Sequence, residues 1–167
     1  MNAIDLQMTK DTPTVIVPKV TIRWQRLVGE QGGTCARCGD TGTEVQQAAA
    51  QLELALTPLG VTVTLEQRTI DADTFRSDVD ASNRIWVNDR LLEDWLGAEV
   101  GASHCTFCCT EAGADVACRT LVHDGQTYET IPASLIVQAG LMAGAQALSA
   151  STAASSGCGC GDGGCCS

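Results

Sequence analysis

Val20, Ile22, Trp24, Arg26 and Val28 alternate with Thr21, Arg23, Gln25 and Leu27. A period of two with one apolar face predicts a strand over about 20–28, ended by Gly29 to Gly33. Val45, Ala48, Ala49, Leu52, Ala55, Leu56 and Leu59 then recur at three and four, which predicts an amphipathic helix over about 42–57. Thr41-Gly42-Thr43-Glu44 fits a capping box at its start, with Thr41 as N-cap, and Pro58 and Gly60 stop it. Val61, Val63 and Leu65 alternate with Thr62, Thr64 and Glu66, a second strand. Strand, helix, strand predicts a βαβ unit whose two strands run parallel, joined by a right-handed crossover.

Beyond it, Asp71 to Ser82 is polar apart from Phe75 and reads as a loop or short helix. Arg84-Ile85-Trp86-Val87 predicts a third strand, and Asn88-Asp89 a tight turn. Gly97 to Gly113 reads as a cysteine-rich loop. Asp124-Gly125 is a strong hairpin signal, with strands expected over 118–123 and 126–131. Pro132 suits the first turn of a last helix running to about Leu148. Residues 1–14 read as a disordered lead, 15–148 as the folded domain and 149–167 as a flexible cysteine-rich tail.

Length and composition narrow the classes. A chain of 167 residues can build a real core, so its ten cysteines are not needed as staples. The start, MNAIDLQMTKD, shows no secretory signal, and the apolar stretch Ile136 to Leu148 is too short to span a bilayer. A cytoplasmic location follows as the expectation, and there paired cysteines read as metal or redox sites more readily than as disulfides. A net charge of -10 argues against a nucleic-acid partner.

The cysteines fall into three groups. Cys35 and Cys38 form a Cys-x-x-Cys-Gly knuckle in the turn between strand and helix, where glycine lets the backbone curl under a metal and Arg37 can lower thiol pKa values. Cys105 and Cys108 have ligand spacing, Cys109 is adjacent and points differently, and Cys118 can return to the loop. Cys105, either Cys108 or Cys109, and Cys118 then supply three thiolates, with His104 as a nitrogen ligand; a trigonal three-sulfur set suits arsenite. The first two groups are expected to face each other, their sulfurs within about 10 Å if they share a site. The tail holds Cys158, Cys160, Cys165 and Cys166 among glycines, a soft-metal claw by its chemistry. Its vicinal pair is similar to that through which mercuric reductases hand over Hg(II). Against these stand plainer readings: inert buried thiols, a disulfide or structural zinc that pins a loop, and a low-complexity tail. Asp71, Asp73, Asp78 and Asp80 read as a solvated loop, and Trp24, Trp86 and Trp95 as core.

A βαβ unit with CxxC in its first turn, followed by a strand and a hairpin, resembles the thioredoxin-like fold. TCARCGDTGTEV (34–45), SNRIWVNDRLLEDWLGAEVG (82–101) and TYETIPASLIVQAGL (127–141) resemble more closely an uncharacterised prokaryotic family of cysteine-rich, thioredoxin-like proteins. The resemblance implies an α/β, thioredoxin-like mixed sheet built on the N-terminal βαβ unit, with a C-terminal β-hairpin and helix. It carries no catalytic residue across. Two departures from thioredoxin weigh against ordinary disulfide exchange: no proline precedes Arg84, and the capping box starts the helix after Cys38.

The function expected from these observations is thiolate-based binding or delivery of a soft metal or metalloid ion (Hg, As, Cu or Zn) in resistance or homeostasis. All ten cysteines are candidate ligands, and a thiol reductant or metal-transfer protein is a candidate partner. The alternative is a thiol–disulfide oxidoreductase or metalloid reductase in which Cys35 attacks and Cys38 resolves. A third is an iron–sulfur carrier, which a brown colour on isolation would reveal.

Overall fold

The computed structural model describes residues 17–155. The expected lead over 1–14 and the four tail cysteines lie outside them. Strand β1 (Lys19–Leu27) leads through a tight loop to helix α1 (Ala36–Leu56), and a 3-10 turn at Thr57–Leu59 brings the chain back as β2 (Thr62–Ile70). β1 and β2 pair in parallel from Lys19↔Thr62 to Leu27↔Ile70, as the βαβ pattern predicts. A short α2 (Ala72–Ser77) follows, then β3 (Arg84–Val87), β4 (Arg90–Leu91) and α3 (Leu92–Leu96). β3 lies antiparallel on the other side of β1, and the first sheet has the order β2-β1-β3-β4. The sheet is therefore mixed, and the domain is α/β. At the β3–β4 turn Asn88 and Asp89 both take left-handed backbone, with φ of 49° and 63°. The side chain of Asn88 accepts from Thr21 N and donates to Lys19 O, which fastens the turn to β1.

The region Gly97 to Gly113 differs from the expected loop. It forms β5 (Glu99–His104) and α4 (Thr106–Ala112), and then continues to β6 (Ala117–His123) and β7 (Gln126–Tyr128). These three strands make a second, antiparallel sheet in the order β5-β6-β7. The hairpin predicted at Asp124-Gly125 is present, with both residues at positive φ, but it joins β5 rather than the first sheet. The small residues of β5 gave no strand signal. Gly101 is required there because a Cβ would collide with the Thr120 hydroxyl across the ladder. β6 thus supplies the pairing that local propensity does not.

Helix α5 (Ala133–Ser155) runs past Leu148 and packs against α1. Close approach is possible because Gly140 and Gly144 face Leu52 and Leu56, where any Cβ would meet leucine methyl groups. By length and composition α5 is apolar enough to cross a membrane, unlike the shorter stretch read from sequence. Ile136, Ala139 and Ala143 are nonetheless fully buried in the same hydrophobic core as Val20, Ile22, Trp24, Val45, Ala48 and Leu52. On β1 the buried face covers Val20, Ile22 and Trp24. It then changes phase, so Leu27 is buried, while Arg26 is half-buried with its guanidinium 4.5 Å over the Trp24 ring. Trp95 is also core, whereas Trp86 is half-buried between Arg23 and Arg84.

The capping box is corrected as well. α1 starts at Ala36, six residues earlier than expected, with Cys35 as N-cap. Thr41 and Glu44 lie inside the helix and serve α5 instead. Thr41 Oγ1 accepts from Ile131 N at 3.1 Å, and Glu44 Oε2 accepts from Ala133 N at 2.7 Å, one of the donors a helix start leaves unpaired. The helix therefore does begin at the CxxC pair. The other departure from thioredoxin stands, since Asn83 and not a proline precedes Arg84.

Candidate metal centre

Four elements bring sulfur to one point. Cys35 is the N-cap of α1, and its Sγ accepts from Cys38 N at 3.4 Å. Cys105 follows directly on the last ladder pair of β5, His104↔Ala117, and begins α4. Cys108, three residues on, falls on the same face of that helix as Cys105. Cys118 lies on β6 opposite Ser103. The four Sγ atoms all lie within 4.8 Å of one another, and all four residues are buried. The expectation that the two body groups of cysteines face each other within about 10 Å agrees with this geometry. In a tetrahedral site with metal–sulfur bonds of about 2.3 Å, neighbouring sulfurs stand about 3.8 Å apart. Cys108 and Cys118 are closer, with Sγ atoms 2.8 Å apart, so an ion between them would spread that edge. The buried cluster is thus a group of donors that could hold a metal ion.

The remaining body cysteines differ from the joint set expected. Cys38 is buried behind Cys35, and its Sγ lies 3.6 Å from Ser82 Oγ rather than in the group of four. Cys109 turns outward because successive helix residues point about 100° apart. His104 also faces out and is not a fourth ligand of the thiol cluster. Instead His104, Cys109 and Asp115 form a second group at the surface. Asp115 carried no signal in the sequence, since its partners come from β5 and α4. Arg37 is engaged with β5 and Glu129. Its guanidinium donates to Ser103 Oγ and His104 O and pairs with Glu129, which ties the first turn of α1 to the end of β5. Asp71, Asp73 and Asp78 are engaged locally: Asp71 caps α2, Asp73 pairs with Arg76 and Asp78 with Arg84.

Protons are distributed unevenly over the cluster. Cys35 is held far below the ordinary thiol range, because Cys108, Cys118 and Cys38 donate to its sulfur more strongly than burial opposes its charge. The N-terminus of α1 favours the same thiolate. Cys108 is pushed up, chiefly by its contacts with Cys118 and Cys35 and by burial. For Cys118 the contact with Cys108 lowers the pKa, but the contact with Cys35 and burial outweigh it and the net direction is up. Cys38 is raised by the neighbouring Cys35 and by burial. Without a metal the cluster therefore favours negative charge on Cys35 and protons on Cys38, Cys108 and Cys118.

A pH dependence follows for the reduced, metal-free protein. The contribution of Cys35, whose folded pKa is depressed, is complete above the unfolded thiol value of 9.0 and shrinks as pH falls. The contributions of Cys38, Cys108 and Cys118, whose folded pKa values are raised, are complete below 9.0 and are lost as pH rises above it. Stability of this cluster should rise with pH from neutrality and fall beyond the ordinary thiol range. Urea midpoints under strong reductant between about pH 7 and 10.5 check this, and a midpoint that keeps climbing through that range would contradict it.

A mixed-sheet α/β domain with a buried four-cysteine cluster able to hold a metal ion is the class that fold and site define. The chain belongs to the family described as a domain of unknown function (DUF2703), whose model matches residues 20–140. It is also similar to an uncharacterized protein of Archaeoglobus fulgidus, 41% identical over 118 residues that cover 71% of this chain and 82% of that one. The family match spans all six body cysteines and stops short of the tail. No solved structure matches the chain.

Proposed function

We propose that the protein binds a thiophilic metal or metalloid ion between Cys35, Cys105, Cys108 and Cys118, and sequesters or delivers it in the cytoplasm. The observation that carries this is the convergence of four buried sulfurs within 4.8 Å, from helix and strand segments far apart in sequence. Thiolates select soft and borderline ions, so Hg(II), As(III), Cu(I) and Zn(II) are the candidates. All four sulfurs together suit tetrahedral Zn(II), whereas three of them would serve As(III). Ion entry displaces the protons held on Cys108 and Cys118, so affinity should increase with pH. Cys158, Cys160, Cys165 and Cys166 would capture further soft ions and pass them to the cluster or to a metal-transfer partner.

The test is anaerobic purification with elemental analysis and thiol counting, then titration with each ion in competition with a thiol buffer. Full-length protein in which the four tail cysteines are replaced by serine should still bind one ion tightly through the cluster, while losing the additional soft ions and transferring more slowly. No tight ion in that variant would remove the cluster as the site. Unchanged capacity and transfer rate would remove the role of the tail.

The oxidoreductase alternative gains support from the corrected helix start. Cys35 now stands at the N-terminus of α1 as a stabilised thiolate, with Cys38 directly behind it. Under this alternative Cys35 attacks a disulfide or metalloid and Cys38 resolves the mixed intermediate, with a thiol reductant restoring the pair. Burial of both thiols favours ion binding over attack on a protein disulfide.

A further inference from the structure

We propose that His104, Cys109 and Asp115 form a second metal site, separate from the buried cluster, which takes a borderline divalent ion such as Zn(II). The segment that builds the inner cluster also builds this one, on its outer side. β5 ends with His104 outward, Cys105 follows it inward as the N-cap of α4, and α4 directs Cys108 inward and Cys109 outward. Asp115 reaches the outer group from the short link between α4 and β6.

The spacing fits an ion as well as it fits direct sulfur contacts. Cys109 Sγ lies 3.6 Å from His104 Nε2 and 3.8 Å from Asp115 Oδ1, and His104 Nε2 is 3.9 Å from Asp115 Oδ1. The last distance is too long for a hydrogen bond. With a zinc–sulfur bond of about 2.3 Å and zinc–nitrogen and zinc–oxygen bonds of about 2.0–2.1 Å, tetrahedral edges come to about 3.6 Å for S···N, 3.5 Å for S···O and 3.3 Å for N···O. The S···N edge already has that length. The S···O edge needs a contraction of about 0.3 Å and the N···O edge one of about 0.6 Å, and the side chains that must move, His104 and Asp115, are 67% and 93% exposed.

The sulfur is prepared for the role. Cys109 Sγ accepts from Val116 N at 3.4 Å and, as a thiol, donates to Val116 O at 3.2 Å. An incoming ion replaces that proton. One sulfur, one imidazole nitrogen and one carboxylate oxygen make a mixed donor set, borderline rather than soft. Three protein ligands leave a fourth position open to water. Exposure on the surface makes exchange faster than at the buried cluster, and the donor set gives Hg(II) and Cu(I) less advantage than the inner thiols do.

Cadmium NMR of the full-length protein, with the four tail cysteines replaced by serine, separates the two sites, because the cadmium shift reports the number of bound sulfurs. Two cadmium equivalents should give two resonances, one from a sulfur-rich environment and one from a site with a single sulfur. Cys109→Ser should remove the single-sulfur resonance alone. Asp115→Asn and His104→Ala should each weaken binding there at least tenfold, about the lower end of what outer-sphere changes alone produce. Cys35→Ser should alter only the sulfur-rich resonance. Absence of a single-sulfur signal at two equivalents, or its survival in Cys109→Ser, would overturn the second site. Loss of the sulfur-rich signal alone would count against the inner cluster and leave the outer site standing.

Discussion

Replacing Cys108 by serine is expected to weaken binding of a thiophilic ion at the inner cluster by about a thousandfold or more, whereas Cys38→Ser should change it less than about threefold. A thousandfold loss corresponds to about 4 kcal/mol. Cys108 is 1% exposed, touches Cys118 at 2.8 Å and is the strongest donor to the Cys35 thiolate. Serine keeps nearly the same shape, so the fold should persist, but it offers a hard oxygen where a soft ion needs sulfur. Cys38 lies outside the group of four and faces Ser82 Oγ, a neighbour that a serine hydroxyl can also satisfy. The contrast distinguishes the two functional readings, because the redox alternative makes Cys38 indispensable as the resolving thiol. Competition titrations on both variants, paired with a disulfide-reduction assay, give the answer. Equal loss of ion affinity in Cys38→Ser and Cys108→Ser would remove the four-sulfur assignment. Reductase turnover that depends on Cys38, with little dependence of ion affinity on Cys108, would favour the enzyme.

Trp24→Ala should destabilise the protein by about 3–5 kcal/mol, the range for removing a large buried aromatic side chain. Trp24 is 2% exposed, and its ring occupies the space a side chain at Gly42 would need, since a Cβ there would come within 2.6 Å of it. Its Nε1 donates to Asn83 Oδ1 at 3.3 Å, and Arg26 stacks on the ring. Truncation leaves a void beneath the first turns of α1 and an unpaired buried acceptor on Asn83. Because α1 begins at Cys35, ion affinity should fall together with stability. Trp24→Phe, which keeps most of the bulk and loses the hydrogen bond, should cost clearly less. Denaturant titration followed by far-ultraviolet circular dichroism measures both, and a loss below about 1 kcal/mol for the alanine variant would mean that α1 is not braced by this ring.

By itself the sequence determined the features that depend on near neighbours. The alternation over Val20 to Trp24 and the three-and-four spacing from Val45 to Leu56 define β1 and α1, since apolar periodicity records which face will be buried. Asn88-Asp89 and Asp124-Gly125 mark their turns because these residues tolerate left-handed backbone. Cysteine spacing likewise showed that thiol chemistry matters, and that Cys108 and Cys109 would point apart. Tertiary structure alone decided the rest. Thr41 and Glu44 carry the local signature of a helix start, yet they accept from Ile131 N and Ala133 N at the entry to α5, about ninety residues away along the chain. β5 has little strand propensity of its own and exists because β6 pairs with it. The same pairing selected Cys105, Cys108 and Cys118 to join Cys35, excluded Cys38, and set Cys109 with His104 and Asp115. Each of those outcomes is a distance between groups remote in sequence. No local pattern encodes such a distance until the two sheets and α1 share one core.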